Sequence, residues 1–223
     1  MLVFGLLTIT MFSSPITVSA AGRQANRPHR VPLVRQVLRN NCETAALSML
    51  LAARGVTAPQ LELQRRLPRS GPLDPIEDGR DQLPLWGDPD KGFVGRVAGG
   101  GAAGGFGVYQ GPIRRLAERY GVRLEDLSRQ TPGELYRRLG AGRAVMAWMG
   151  LTEGPYRRWR IPSGKTISVN FAEHTIVLVA LRGDGVEFND PLTGTRRFWS
   201  RETFERRWRL LGRRALALQQ GPG

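Results

Sequence analysis

The chain has very little of the residues that build disulfides and metal sites, with one cysteine and two histidines among 223 residues. A lone cysteine excludes an intramolecular disulfide. It also leaves too few cysteine and histidine ligands for a zinc site, which requires three or four. We therefore expect neither a metal nor another cofactor.

Lysine is almost as scarce, since Lys91 and Lys165 are the only two, and the net charge of +14 comes from arginine. The arginines are scattered along the chain rather than grouped. Such a charge attracts acidic polymers without specificity, so an anionic cell-wall surface is a possible partner. No nucleic-acid-binding motif accompanies the charge, and we expect no nucleic-acid partner.

Charge is absent from residues 1–20, where an apolar run from Leu2 to Phe12 ends in the small residues Val18-Ser19-Ala20. The run is shorter than the roughly 20 apolar residues that cross a membrane, and it is typical of a secretory signal peptide. We predict a signal peptide over 1–20, a flexible mature N-terminus over 21–30 and one domain over 31–219. The protein is then secreted or associated with the cell surface, with no membrane span after cleavage. No Lys or Arg precedes the apolar run, so the true translation start stays open.

The single cysteine, Cys42, directly precedes a predicted helix. The start of a helix stabilises an anion and lowers the pKa of a thiol, which favours a nucleophile. Six residues upstream, Gln36 offers a side-chain amide of the kind that stabilises an oxyanion. The alternative is a buried structural cysteine. In an exported protein an unpaired thiol is a hazard unless it is used, which favours the functional interpretation.

The remaining pattern predicts helices first and an antiparallel sheet afterwards, an α+β fold. The predicted helices cover 44–54, 60–67, 111–121 and 132–140, with a further helix from residue 200. The predicted strands cover 31–34, 144–149, 175–181, 186–189, 196–198 and 214–218. The stretch 68–107 has no regular pattern and is interpreted as the wall of a binding cleft.

The useful histidine is His174, because His29 lies in the tail. A hairpin turned at 183–185 brings Asp190 back to the level of His174. A carboxylate beside an imidazole fixes its tautomer and stabilises its charged form. Asn189 is the competing partner, but successive strand side chains point to opposite faces, so only one of the two meets His174. We prefer Asp190, because Asp190-Pro191 ends the strand.

Six groups of residues occur in an order that resembles the bacteriocin-processing (double-glycine) peptidase-like branch of the papain-like cysteine peptidases, in a stand-alone secreted form. The resemblance runs from about Val31 to Leu218. The groups are Gln36 with Asn41-Cys42-Glu43; Trp86-Gly87-Asp88-Pro89 with Gly92-Phe93-Val94-Gly95; Phe106-Gly107-Val108-Tyr109 with Pro112-Ile113; Gly142-Arg143-Ala144-Val145 with Trp148; Glu173-His174; and Asn189-Asp190-Pro191 with Gly194.

This resemblance implies a papain-like fold, a peptide or protein substrate, and a monomer. It implies that Cys42 is the nucleophile, His174 the general base and acid, Asp190 the orienting carboxylate and Gln36 the oxyanion donor. The substrate cleft is expected to contain Trp86, Gly87, Phe93, Tyr109, Trp148 and Glu173. The chain departs from the family pattern in two places: Glu43 follows the cysteine where glycine is common, and a glycine run lengthens the loop before Phe106.

Three other functions stay open at this stage. A related enzyme on the same fold could cleave peptide or amide bonds of the cell wall. A catalytically silent binding module could keep the papain-like shape, in which case Cys42 would not be alkylated well below roughly pH 8.5, the pKa of a free thiol. An anionic-polymer binder is supported by the charge alone.

Overall fold

The computed structural model describes residues 30–77, 79, 83–99 and 104–220. The predicted signal peptide and the predicted flexible N-terminus, apart from Arg30, lie outside these residues, as does part of the glycine run.

Glycine and proline set several helix boundaries. Pro132 occupies the first turn of a helix, and the Oγ1 of Thr131 accepts a hydrogen bond from the backbone N–H of Glu134 at 3.3 Å, as a capping residue does. The first helix ends at Ala52, three residues before Gly55, which has a positive φ of 75°. The described helices are α1 (Cys42–Ala52), α2 (Gln60–Arg66), α3 (Gln110–Glu118), α4 (Pro132–Gly140) and α5 (Arg201–Arg209).

The strands concentrate in the second half of the chain. They are β1 (Val94–Gly95), β2 (Gly105–Gly107), β3 (Leu124–Asp126), β4 (Val145–Gly150), β5 (Tyr156–Arg160), β6 (Thr166–Asn170), β7 (Glu173–Arg182), β8 (Gly185–Asp190), β9 (Thr195–Ser200) and β10 (Ala215–Leu218). The α+β fold class is confirmed.

Six strands form one antiparallel sheet in the order β3-β10-β4-β7-β8-β9. The apolar runs of β4 and β7 lie side by side at its centre. Their register pairs Met149 with His174 and Gly150 with Glu173, so the reactive end of β7 lies at the end of β4. Two smaller ribbons, β1-β2 and β5-β6, complete the described strands.

Both faces of the sheet are covered, so its central strands are apolar on both sides. Alternate side chains point to opposite faces of a strand. Val177 and Val179 belong to the larger hydrophobic cluster with α1 and α3. Ile176 and Leu178 belong to the second cluster with Phe204 of α5 and side chains of α4. The structure therefore has three layers, with α1 and α3 on one side of the sheet and α4 and α5 on the other.

The sequence-based strand over 31–34 is wrong, because these residues form no strand. Their backbone is held by a side chain instead: the Nδ2 of Asn189 donates to the carbonyl oxygens of Val31 and Pro32 at 3.3 and 3.2 Å. Conversely, β3, β5 and β6 were not predicted. Arginine occupies three of the five positions of β5, so no apolar alternation marks it.

The long irregular segment 68–107 is anchored by aromatic side chains. Trp86 lies edge-on to Trp159 with ring centroids 5.2 Å apart, and Phe106 contacts the same ring at 5.7 Å. The indole N–H of Trp159 donates to the carbonyl of Gly87 at 2.8 Å. This part of the chain therefore packs against the β5-β6 ribbon.

Among the described residues, the helices are all too short or too polar to cross a membrane.

One ion cluster links β3 to α4 and to the loop before β4. The carboxylate of Glu125 accepts from Arg138 Nη2 at 2.6 Å and is also contacted by Arg143. The hydrogen bond from Arg138 is the largest cause of a lowered pKa, which falls to about 2 for this carboxyl. Because the folded-state pKa is depressed, the cluster stabilises the protein fully above the unfolded value of about 4.5. That stabilisation is lost as the pH falls toward 2.

We predict that Glu125→Gln lowers the free energy of unfolding at neutral pH by about 1–2 kcal/mol, a value reduced for partial exposure. The difference from wild type should shrink as the pH falls from about 4.5 to about 2. Urea unfolding of both proteins across this range, with Glu118→Gln at an exposed helix position as the control, measures it. A difference that stays constant across the range would contradict the assignment.

Candidate active site

Cys42 is the first residue of α1, and its position is fixed by a network of side-chain amides. The Oδ1 of Asn41 accepts from the backbone N–H of Leu38 at 2.9 Å, and its Nδ2 donates to Gln60 Oε1 at 2.7 Å. Gln60 Nε2 in turn donates to the carbonyl of Arg35 at 2.8 Å. The loop before the cysteine is thus tied to α2.

The Cys42 sulfur lies among acidic groups. Its Sγ is 3.4 Å from Glu43 Oε2 and 3.9 Å from Glu173 Oε2, and the thiol donates to these oxygens. The backbone N–H of Thr175 donates to the sulfur. Only 5% of Cys42 is exposed. The nucleophile candidate is therefore enclosed between α1 and the first residues of β7.

This environment reverses the sequence-based expectation of a lowered thiol pKa. Burial is the largest cause that raises the pKa of Cys42 well above its usual value, and the charges of Glu173 and Glu43 add to it. The hydrogen bond from Thr175 opposes them without outweighing them. The start of α1 favours a thiolate, but two neighbouring carboxylates and the loss of water disfavour it more.

The two carboxyls are perturbed as well. Burial raises the pKa of Glu43 to about 7, although the backbone N–H of Val108 donates to its Oε1 at 2.7 Å. Burial and the neighbouring Glu43 raise the pKa of Glu173 well above its usual value. Thr175 Oγ1 donates to Glu173 Oε1 at 3.0 Å.

His174 pairs with Asp190, as the hairpin geometry predicted. The ring Nε2 lies 2.8 Å from Asp190 Oδ1. Arg197 Nη1 donates to Asp190 Oδ2 at 3.0 Å, and the N–H of Leu192 donates to Oδ1 at 2.9 Å. Burial acts against the charged carboxyl, but these three donors together hold the pKa of Asp190 below its usual value. Asn189 points to the other face, toward Val31.

The sulfur and the imidazole lie on different sides of β7. Glu173 and Thr175 point toward α1, whereas His174 shares its face with its register partner Met149 and with Ile176. The sulfur nevertheless touches the peptide that joins His174 to Thr175, because the Thr175 N–H donates to it. In the described structure its side-chain hydrogen-bond partners are Glu43 and Glu173.

The Gln36 amide is occupied within its own turn. Its Nε2 donates to the carbonyls of Leu38 and Arg39, each at 2.9 Å. Its Oε1 is buried and has no hydrogen-bond partner among the described residues. The backbone N–H of Gln36 donates to Pro191 O at 2.8 Å, which ties this turn to the end of β8. Its predicted oxyanion role stays a prediction, and it requires the amide to leave these two carbonyls.

The six residues predicted for the cleft divide into two groups. Trp86, Gly87, Phe93 and Trp148 are buried in the packed interior. Glu173 lies beside the sulfur, and Tyr109 borders a cavity of about 610 Å³ that is also lined by Asn170 and Arg214. The aromatic residues among them pack in the core. A motif shows that a residue type recurs, and it does not show whether that residue lies in the core or in a cleft.

Sequence reasoning missed the surroundings of the thiol. Glu43 was noted only as a departure from the family pattern, and Thr175 and Arg197 were not singled out. The alternation of a strand could have placed Glu173 and Thr175 on one face and His174 on the other. No local signal could have shown that this face is the one that meets Cys42.

The same three side chains also have donor atoms of the types that bind metals. The sulfur and one carboxylate oxygen each from Glu43 and Glu173 lie within 4.8 Å of one another. The sequence-based argument against a metal considered only cysteine and histidine, so it did not consider this set. These side chains instead hydrogen-bond to one another and to the backbone.

Gly107 lies against the carboxyl groups of Glu43 and Glu173, where a side chain would not fit. Its φ is +117°, and a Cβ at this position would lie 2.2 Å from Glu43 Oε1 and 3.3 Å from Glu173 Oε2. Only glycine accommodates both the backbone angle and the close approach.

Comparisons with known proteins agree with this architecture. The model of the Peptidase C39 like family matches residues 28–216. The uncharacterized protein YvpB of Bacillus subtilis strain 168 is 31% identical over 187 residues, which are 82% of this chain and 70% of that protein.

Two solved structures are similar in fold. A putative C39-like peptidase from Bacillus anthracis has a TM-score of 0.74 and 27% identity, with 87% of this chain and 97% of that chain covered. The peptidase domain of Streptococcus ComA, described as a bifunctional ABC transporter, has a TM-score of 0.50 and 12% identity, with 85% and 99% covered. The latter likeness concerns the fold alone.

We predict that Gly107→Ala disturbs the site beyond its effect on the backbone. Gly121→Ala is the matched control, because Gly121 has φ +73° and nothing within 4 Å of an added Cβ. Both variants should lose about 1–3 kcal/mol of stability from the unfavourable φ, measured by thermal unfolding. Only Gly107→Ala should change the rate at which iodoacetamide alkylates Cys42. Equal alkylation rates in the two variants would contradict the close packing of Gly107 on the acids.

Proposed function

Because the chain belongs to the Peptidase C39 like family, we propose that it is a cysteine peptidase that hydrolyses peptide bonds with Cys42 as the nucleophile. The observation that carries the proposal is the 2.8 Å pair of His174 and Asp190, with the Cys42 sulfur at the start of α1 beside the first residues of β7. A nucleophile at a helix start, an imidazole and an orienting carboxylate are the three parts that covalent acyl transfer needs, and here the imidazole has to reach the side of β7 that carries the sulfur.

The proposed reaction uses the ring nitrogen that Asp190 leaves available. Asp190 binds Nε2, so Nδ1 is the atom that accepts the Cys42 proton. The sulfur then attacks the carbonyl carbon of the substrate, and the tetrahedral oxyanion is stabilised by the backbone N–H of Cys42 and by the Gln36 amide. His174 gives its proton to the leaving amine, and water hydrolyses the thioester.

This chemistry requires a rearrangement from the enclosed state. Only 3% of His174 and 5% of Cys42 are exposed, so a substrate has to displace covering groups before it reaches the sulfur. Of the predicted cleft residues, Tyr109 borders the cavity of about 610 Å³, and we propose that this cavity holds one side of the substrate chain.

The substrate class and the location are proposals of the same kind. A peptide or protein substrate follows from the family. An exported position, on which a cell-wall substrate depends, is supported by the uncharged and apolar residues 1–20 and by the positive charge of the remainder.

A catalytically silent binding module is the second candidate, and the raised pKa of Cys42 is the observation that favours it. A neutral, enclosed thiol is what a structural cysteine would present. The two candidates differ in whether the thiol is needed for any hydrolysis.

We predict that Cys42→Ala lowers the rate of peptide hydrolysis by about a thousand-fold or more, because no other group replaces the nucleophile. The assay uses the purified mature protein with a mixed peptide library and mass spectrometry of the products. Asp190→Asn should also reduce the rate, since it weakens the orientation of His174. Unchanged hydrolysis in Cys42→Ala would exclude the proposed mechanism.

We predict that activity on purified sacculi separates the two kinds of peptidase. A protein-directed enzyme should cleave unfolded proteins and release no peptide fragments from sacculi, and a cell-wall enzyme should do the reverse. Chromatography of the soluble products measures both, with Cys42→Ala as the control. Release from sacculi that depends on Cys42 would replace the protein-directed assignment with the cell-wall one.

A further inference from the structure

The groups nearest to the Cys42 sulfur are two carboxyls that the proposed mechanism does not use. Glu43 follows the cysteine in α1, and Glu173 opens β7. Their Oε2 atoms lie 3.4 and 3.9 Å from Sγ. Both side chains therefore contact the reactive atom directly, from different elements of the fold.

The outer oxygens of the two carboxyls are held by neutral donors. The N–H of Val108 binds Glu43 Oε1 at 2.7 Å, and the hydroxyl of Thr175 binds Glu173 Oε1 at 3.0 Å. Gly107 packs against both acids, so the arrangement leaves no room for a side chain there. These contacts direct the remaining oxygens, Oε2 of each acid, toward the sulfur.

No arginine or lysine in the described part of the chain forms an ion pair with either carboxyl. This differs from Asp190, which pairs with Arg197, and from Glu125, which pairs with two arginines. Buried carboxylates are normally paired, because an isolated charge loses its hydration without compensation. The chain has 33 basic residues, yet none in its described part pairs with these two acids.

The other titratable groups near the sulfur do not offset the two acids. Tyr109 approaches from the segment before α3, and burial keeps its phenol neutral by raising its pKa. Arg214 lies over the Tyr109 ring but pairs with Asp90. The ring of His174 is directed to Asp190 on the other side of β7. In the pH range where the thiol titrates, the negative charge next to Sγ therefore comes from Glu43 and Glu173, and it raises the pKa of Cys42.

We propose that Glu43 and Glu173 are positioning residues that keep the Cys42 thiol protonated in the enclosed state, and that removal of either negative charge makes the sulfur more reactive. A negative charge within hydrogen-bond distance disfavours a thiolate, and the effect is strong where water is excluded. This inference rests on the proposed function, since it concerns the reactivity of the proposed nucleophile. In this proposal Glu43 and Glu173 hold the thiol in its protonated form and take no part in the chemical step.

The inference is tested by the pH dependence of alkylation, without a substrate. Cys42 is the only cysteine, so every iodoacetamide adduct reports this sulfur. The reagent is uncharged, and its reaction forms the S–C bond and releases iodide. The midpoint of the rate against pH gives the thiol pKa, whereas a change in access alters only the maximal rate.

The wild-type midpoint should lie above roughly pH 8.5, the pKa of a free thiol. Glu173→Gln and Glu43→Gln should each lower the midpoint by about one unit, which is about a tenfold higher thiolate fraction at neutral pH. Glu173→Asp keeps the charge and should stay near wild type. Glu118→Gln removes an exposed charge and is the matched control.

Midpoints that do not move in Glu173→Gln and Glu43→Gln would overturn the inference, as would midpoints that rise. If one variant fails to fold, the other still decides. The series is repeated with a chelator: a bound cation would favour the thiolate and shield it from the reagent, so a chelator that alone raises the wild-type midpoint or the maximal rate would show that a metal rather than two bare carboxyls governs the thiol, and the inference would fail. Hydrolysis that is unaffected by Cys42→Ala would instead contradict the proposed function. It would not change the measured midpoints, which test the inference separately.

Discussion

The packing of α1 against β7 determines the position of every reactive group in this protein. The helix is buried from Cys42 to Leu51 and lies on the face of the sheet that carries Val177 and Val179. Its first residue is then brought to the first residues of the strand. The sulfur meets Glu173 and the Thr175 N–H for this reason and not because of any property of the cysteine itself.

The sheet supplies the second half of the site through its register. Because β7 and β8 are antiparallel neighbours, Asp190 at the end of β8 returns to His174 at the beginning of β7. Arg197 on β9 adds a charge on the far side of the carboxylate. The positions of the imidazole and its carboxylate are thus set by three consecutive strands, whereas the position of the thiol is set by one helix. The proposed catalysis requires the thiol and the imidazole, which are positioned by different elements, to act together.

The sequence predicted these parts unequally, and the reasons are physical. Apolar runs and glycine turns are local signals, so α1, α3, α4, β4, β7 and β8 were predicted close to their observed bounds. The pairing of His174 with Asp190 followed from the turn at 183–185. The prediction of a strand over 31–34 was wrong, because the backbone there bonds to the side chain of Asn189. This residue lies 158 positions from Val31, whose carbonyl oxygen it contacts.

The predicted lowering of the thiol pKa was wrong for a related reason. The helix start is visible in the sequence, but burial and the approach of Glu173, 131 residues away, are not. Trp86, Phe93 and Trp148 were expected in the cleft from the family motif, and they are buried in this structure. A motif reports that residues recur and not which way they point.

Arg214 connects the segment before α3 to the strand β10 of the large sheet. It precedes β10, its guanidinium is 3.6 Å from the centre of the Tyr109 ring, and it bonds to Asp90 and Gln110 at 2.8 and 2.7 Å. The side chain of Arg214 thereby holds the segment before α3 next to β10, the strand that pairs with β4. Any motion that swings Tyr109 outward has to break this cation–π contact first, so the position of Tyr109 at the border of the cavity depends on a residue from a distant part of the chain.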